Sequence, residues 1–164
     1  FAAPKGRGER HELSIGNGSF VLIDESYNAN PASMRAALAL LGAASVGASG
    51  RRIAVLGDML ELGPQAASLH ADLANALHDG KVDQLYAAGP MMKHLFDAVP
   101  DACRGVWHEK AAELQAPLFD TLQPGDDVMV KGSNGSRMGP LVAAMKEHFV
   151  APSDSSAAQA MVQE

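Results

Sequence analysis

IDESYNANP, residues Ile23–Pro31, is the stretch that decides the fold. It leaves the apolar run Phe20-Val21-Leu22-Ile23 and stops at Pro31, where Met34, Ala37, Leu38 and Leu41 take up the i, i+3, i+4, i+7 spacing of a helix face. Residues 24–30 are therefore a polar loop between a buried strand and a helix. In an open α/β sheet ligands bind where strands end, so chemistry is expected here. The loop holds two carboxylates, a hydroxyl, a phenol and two amides. Asn30-Pro31 also suits a helix start, with Asn30 as N-cap and Pro31 in the first turn, a role compatible with ligand contact.

Working outward, the same alternation recurs. His11–Ser19 reads as half a hairpin with a turn at Gly16-Asn17-Gly18, Asn-Gly being a strong two-residue turn. After the first helix, expected to run to about Ala48, Arg51 and Arg52 lead into the strand Ile53–Leu56 and the loop GDMLELG, Gly57–Gly63. A helix is expected over Pro64–Asp79, with Gly80 ending it. His70 lies near its apolar face and reads as a packing residue. Val82–Ala88 is a strand, Met91–Val99 a helix, Gly105–Trp107 a strand and Glu109–Leu122 a helix. Val128–Val130 is the last strand and delivers KGSNGS, Lys131–Ser136. The closing helix carries Met138, Leu141, Val142, Met145 and Phe149 on one side. Strands alternating with helices after a hairpin predict an α/β fold: a mostly parallel sheet of about six strands, opening with an antiparallel hairpin, with helices on both faces.

Composition narrows the function. A chain of 164 residues with 47% hydrophobic residues can bury a core in one domain. A formal net charge of −6 argues against nucleic acid as partner. The single cysteine, Cys103, excludes a disulfide framework and a cysteine-based zinc site, and the six histidines lack ligand spacing, so no metal site is expected. No apolar run spans a membrane. Neither GxGxxG nor GxxxxGK[ST] occurs, so any ATP phosphate cradle lies elsewhere. FAAPKGRGER begins mid-phrase and is Gly-rich and basic, so residues 1–10 read as the remnant of an interdomain linker, 11–150 as the domain and 151–164 as a disordered tail.

Three polar loops should share one sheet edge: DESYNANP, GDMLELG and KGSNGS. Glu25 can chelate a ribose diol through charge-assisted bonds. Asn28 and Asn30 present paired donors and acceptors of the kind an adenine edge needs. Lys131 is a point charge for a carboxylate or phosphate, or a partner in an internal ion pair. Asp58, Gly57 and Gly63 read equally as turn residues, and Glu61 as a solvated charge. Asp24-Glu25, Asp58 and Lys131 also mimic a receiver-type phosphoacceptor site, and a plain nucleotide-binding or interaction module is a further alternative.

IDESYNANPASM, GDMLELG with a helical His seven residues after Gly63, and VMVKGSNGSRM together resemble the Mur ligases of bacterial cell-wall synthesis, over roughly Lys5 to Phe149 and in the carboxy-terminal domain only. The SYNANP string is most similar to the branch that adds D-alanyl-D-alanine to UDP-N-acetylmuramoyl-tripeptide. The resemblance implies a Rossmann-like domain closing over ATP, with the amino-terminal and central domains of the same chain as partners. Mg2+ would be held mainly by the central domain, which carries the P-loop. It implies a cytoplasmic bacterial ligase that is active only as a whole chain: this piece alone should be inactive and holds no catalytic residue of its own. A monomer without membrane or nucleic-acid partner is expected. Residue by residue, Arg7 resembles a linker arginine that reaches the ATP phosphates, and Glu25 a ribose-binding carboxylate that is often Asp in the family. Tyr27, Asn28 and Asn30 lie where adenine is bordered. Asp58, Met59 and Glu61 resemble the loop near the incoming dipeptide, and Lys131 and Ser133 match its KGS motif. Asn134 stands where the family usually has Arg, and Arg137 offers a replacement charge one turn later.

Overall fold

The computed structural model describes residues 5–44, 46–47 and 50–152. Strand β1 (Glu9–Ile15) and strand β2 (Gly18–Glu25) form an antiparallel hairpin whose register closes at Ile15 opposite Gly18. The two turn residues are thus Gly16 and Asn17 rather than Asn17 and Gly18. Gly16 takes φ 56°, the left-handed first position of a tight hairpin turn, which a residue without Cβ adopts freely. β1 begins inside the stretch read as linker, because Glu9 and Arg10 pair with Asp24 and Ile23.

The remaining strands are β3 (Arg52–Gly57), β4 (Gln84–Ala88), β5 (Arg104–His108) and β6 (Asp127–Lys131). They assemble with the hairpin in the order β1-β2-β6-β3-β4-β5, and every pairing beyond β1–β2 is parallel. Successive side chains alternate between two buried clusters, as the strand period of two requires. Ile53, Val55, Val128 and Val130 join Phe20 and Leu22 in one. Ala54, Leu56 and Met129 join Ile23 in the other. The second cluster is roofed by helices α1 (Pro31–Ala43), α3 (Leu73–Asp79) and α4 (Met92–Ala98), with the short α2 (Ala66–Ala71) leading into α3. Helices α5 (Gln115–Thr121) and α6 (Met138–His148) cover the first. This is the six-stranded mixed sheet with helices on both faces that the alternation of runs predicts. β6 lies between β2 and β3, yet its chain continues to the opposite face from theirs. The β6 end therefore borders a crevice on each side, the position at which open α/β sheets bind ligands.

Three helices are shorter than their periodicity predicts. α1 stops at Ala43, because Arg52 reaches back with Nε on the Leu41 carbonyl and Nη2 on that of Ala44. A guanidinium on the last carbonyls is a favourable helix end; the expected end at Ala48 lies outside the described residues. The Pro64–Asp79 pattern resolves into a 3-10 turn, Gly63–Gln65, followed by α2 and α3. His70 Nδ1 bonds the Ala66 carbonyl at 2.6 Å, competing with the backbone for the acceptor four residues back. Glu109–Leu122 resolves into a 3-10 turn, Ala111–Leu114, and then α5. Pro117 in one continuous helix would clash with the carbonyl of Glu113, whereas the first turn of α5 tolerates it. Of the expected tail, residues 153–164 lie outside the described residues, as do the first four residues of the linker.

Candidate functional site

The loop after β2 is stiffened from within. Buried Asp24 accepts from the Ser26 amide at 3.0 Å and from its hydroxyl. Asn30 caps α1: its Oδ1 accepts from the Ser33 amide at 2.8 Å while Ser33 Oγ accepts from the Asn30 amide at 3.0 Å. This reciprocal box satisfies two otherwise orphaned donors. Asn28 Oδ1 takes the Ala29 amide at 2.9 Å. Tyr27 is half exposed, and the Arg7 guanidinium stacks over its ring at 4.2 Å from the centroid. The segment carrying Arg7 is tied alongside β2 by bonds from the Gly8 amide to the Asp24 carbonyl (2.8 Å) and from the Tyr27 amide to the Gly6 carbonyl (3.0 Å). Arg7 therefore starts from a docked position, not from a free tether.

Glu25 and Lys131 face each other across the β2–β6 register. The Lys131 ammonium donates to Glu25 Oε2 at 3.1 Å and to the Asn28 carbonyl at 2.9 Å. Its side chain is 4% exposed against 22% for Glu25. Its stem packs in the sheet while its ammonium is engaged by Glu25 and the Asn28 carbonyl, which places it beside Glu25 at the β2 loop.

Ser133 knits the loops together. Its hydroxyl accepts from the Leu60 amide at 3.0 Å and donates to the Ala29 carbonyl at 3.3 Å, and its own amide donates to the Asp58 carbonyl at 3.3 Å. The loop after β3 is pinned from the other side by His70, fully buried, whose Nε2 accepts from the Met59 amide at 2.9 Å. With Nδ1–H donating to Ala66, both ring nitrogens are engaged in one tautomer. His70 is thus the packing residue that its spacing predicts, and it also positions this loop. Met59 is buried among the α1 and α3 side chains, a core residue and not a surface for a ligand. Glu61 is exposed in a left-handed conformation, φ 62°.

Asp58 caps α4. Its Oδ1 accepts from the Met92 amide at 2.8 Å and its Oδ2 from the Met91 amide at 3.2 Å. Gly89 makes this possible: it lies at φ 112°, and a Cβ there would overlap the Asp58 carboxylate. Beside this cap opens a cavity of about 580 Å³, walled by Leu60, Ala88, Pro90, Ala111 and Ala112, with Glu109, Lys110 and Arg137 among its charged lining residues. Of the expected dipeptide residues, Asp58 alone lines it. The Gly89-Pro90 corner and the turn after β5 did not stand out in the sequence, although each follows a strand end; Arg137 stood out only as a replacement charge beside the KGS motif. Small and apolar residues carry no chemical signal until the fold places them around a hollow.

With Asp24 and Asp58 committed to backbone amides and Lys131 to Glu25, the receiver-type reading loses its acidic pocket. Two shifted titrations lie at the other end of the sheet. There Asp127 is pushed up by burial, opposed by Arg10 and Arg52, and Arg51 is held protonated by its bond to buried Asp126.

Comparison with known proteins gives the site its context. Residues 6–134 match the family model described as Mur ligase, glutamate ligase domain. The chain is 35% identical over 147 residues to the UDP-N-acetylmuramoyl-tripeptide–D-alanyl-D-alanine ligase of Synechocystis sp., covering 87% of this chain and 30% of that protein. The crystal structure of MurF from Acinetobacter baumannii superposes with a TM-score of 0.71 at 28% identity, over 88% of this chain and 30% of that one. The MurF ligase from Thermotoga maritima in complex with ADP has the same fold, with a TM-score of 0.71 at 20% identity, over 90% of this chain and 32% of that one. The chain spans about 30% of the length of the curated relatives it matches.

Proposed function

The chain belongs to the Mur ligase family through its glutamate ligase domain, and from this we propose that it is the carboxy-terminal domain of an ATP-dependent ligase joining D-alanyl-D-alanine to UDP-N-acetylmuramoyl-tripeptide in peptidoglycan synthesis. The observation that carries this reading is the division of the sheet edge: the paired Glu25 and Lys131 where β2 and β6 end side by side, and a small-walled cavity over β3, β4 and β5. An edge divided in this way can present a nucleotide and a short peptide side by side.

In the crevice, the Glu25 carboxylate takes the two ribose hydroxyls, with Lys131 fixing its orientation from beneath. Tyr27, Asn28 and Asn30 border the base. Arg7 leaves its stack on Tyr27 to meet the phosphates; an exposed cation–π contact is worth only about 0.5–1 kcal/mol, so the move is inexpensive. In the cavity the dipeptide is held with its amine toward the nucleotide, and Glu61, exposed on the adjoining loop, meets the ammonium before it loses its proton. ATP phosphorylates the peptide carboxylate, giving ADP and an acyl phosphate. The free amine then attacks the acyl carbon, the amide bond forms and phosphate leaves. The contribution of this domain is orientation, which can supply a large part of the barrier reduction. Among the described residues Asp24 and Asp58 are committed to amides and Glu25 to an ammonium, so none of these three carboxylates is offered to magnesium. The metal that accompanies ATP belongs to another domain of the protein, and the domain by itself turns over no ATP. The ligase acts as a cytoplasmic monomer, where ATP and UDP-linked precursors are found; among the described residues no helix is long and apolar enough to cross a membrane.

The test is phosphate release by the purified full-length protein with ATP, magnesium, UDP-N-acetylmuramoyl-tripeptide and D-alanyl-D-alanine. Release dependent on all three substrates is expected. Release indifferent to the dipeptide refutes the assignment.

A further inference from the structure

We propose that Arg137 is the carboxylate receptor of the amine-bearing substrate, acting at the mouth of the cavity over β3, β4 and β5. The proposal rests on the reading that this cavity seats the dipeptide. A dipeptide that attacks through its amine carries a carboxylate at its other end, and that anion needs a cation with free donors. Lys131 cannot supply them without giving up Glu25 and the Asn28 carbonyl, and it is buried. The other guanidiniums in the described part of the domain are mostly committed. Arg51 is held by Asp126, Arg52 by helix carbonyls, Arg104 by Asp101, and Arg7 lies on Tyr27.

Arg137 differs from these. Among the described residues its side chain has no hydrogen-bond or ion-pair partner, and it lines both the 580 Å³ cavity and a smaller neighbouring one of about 260 Å³. Its planar fork matches a carboxylate through two parallel bonds, which a lysine cannot do. Its backbone points the same way. Arg137 sits at φ 67°, ψ 33°, a left-handed conformation that disfavours residues other than Gly, Asn and Asp. A charged side chain at such a position calls for a task that glycine could not perform.

The surroundings fit the rest of such a ligand. Ala88, Ala111, Ala112 and Pro90 give shallow apolar walls of the size of methyl side chains. Asp58, the buried acid of the lining, has both carboxylate oxygens engaged by the Met91 and Met92 amides. Glu109 and Lys110, both exposed, stand on the turn after β5 that forms another part of the wall. The ligand class is a short peptide with small side chains and a free terminal carboxylate.

The experiment uses the full-length ligase carrying Arg137→Gly or Arg137→Asn, residue types that adopt left-handed backbone readily, so that loss of charge is separated from misfolding. Each enzyme is assayed with D-alanyl-D-alanine and with its carboxamide, D-alanyl-D-alaninamide, which lacks the negative charge. Wild type should prefer the acid. Both variants should raise its KM at least about tenfold, as expected for a charge-assisted pair, while the KM for ATP holds and the preference for acid over amide disappears. Equal losses toward acid and amide would overturn the proposal and reduce Arg137 to a structural role, and a rise confined to the ATP KM would move it to the nucleotide. If wild type does not ligate the dipeptide at all, the reading of the cavity fails with it; if it does and the variants are indifferent, only the Arg137 assignment fails.

Discussion

Replacing Lys131 by methionine keeps the buried stem and removes the ammonium, leaving Glu25 Oε2 and the Asn28 carbonyl without their donor. A hydrogen bond to a charged group contributes about 1.5–3 kcal/mol, and breaking a fully buried ion pair costs about 3–5 kcal/mol. Glu25 keeps 22% side-chain exposure, so water recovers part of the loss. The expected destabilisation is therefore about 2–3 kcal/mol, or roughly 5–10 °C in Tm for a domain of this size. Urea denaturation of wild type, Lys131→Met, Glu25→Gln and the double variant gives the coupling directly. A coupling of at least about 1.5 kcal/mol is expected, and a value under about 0.5 kcal/mol, the range of independent sites, would refute the pair as a structural unit. The same substitution in the full-length ligase should raise the KM for ATP, because Glu25 loses its orientation. A rise in the dipeptide KM alone would mean that the ammonium leaves Glu25 to meet the dipeptide.

Ser133→Ala removes the hydroxyl that accepts from Leu60 and donates to Ala29, so faster hydrogen exchange at the Leu60 amide is expected, with a stability loss of about 1–2 kcal/mol; unchanged exchange would remove Ser133 as the link between the loops. Asp127 is buried with Oδ2 lacking a hydrogen-bond partner among the described residues, and burial raises its pKa above the unfolded value. The folded state therefore holds this proton more tightly, and the stability it contributes is present below the unfolded pKa and lost as pH rises through the folded one. Asp127→Asn should thus raise Tm relative to wild type at pH 7, with the gain shrinking as pH falls through the folded pKa and gone below the unfolded value of about 4; a gain that grows on acidification would contradict the sign.

Strands β2, β3, β4 and β6 could be read because each holds a short continuous apolar run, β1 because a turn signal follows it, and α1 because Asn30-Pro31 announces its start. Loop positions followed from strand ends alone. What the chain does not display is pairing at a distance. Lys131 and Glu25 are 106 residues apart, and Ser133 and Leu60 are 73 apart. Their contacts exist only because β6 inserts between β2 and β3, a register that local pattern does not encode. Asp58 looked like a ligand residue for the same reason, since its amide partners lie 33 and 34 residues on. The Arg7 docking arises from backbone bonds at glycines, which read equally well as a tether.

The central claim is that one sheet edge serves two substrates at two separate places. Steady-state kinetics of the full-length ligase, varying ATP and D-alanyl-D-alanine in turn, tests it with two variants. Glu25→Ala removes the ribose carboxylate, and Ala112→Phe fills the cavity from an exposed wall position. The account predicts that Glu25→Ala raises the ATP KM about tenfold or more and leaves the dipeptide KM near wild type, while Ala112→Phe does the reverse. Both variants raising the same KM, or each raising both equally, would contradict it.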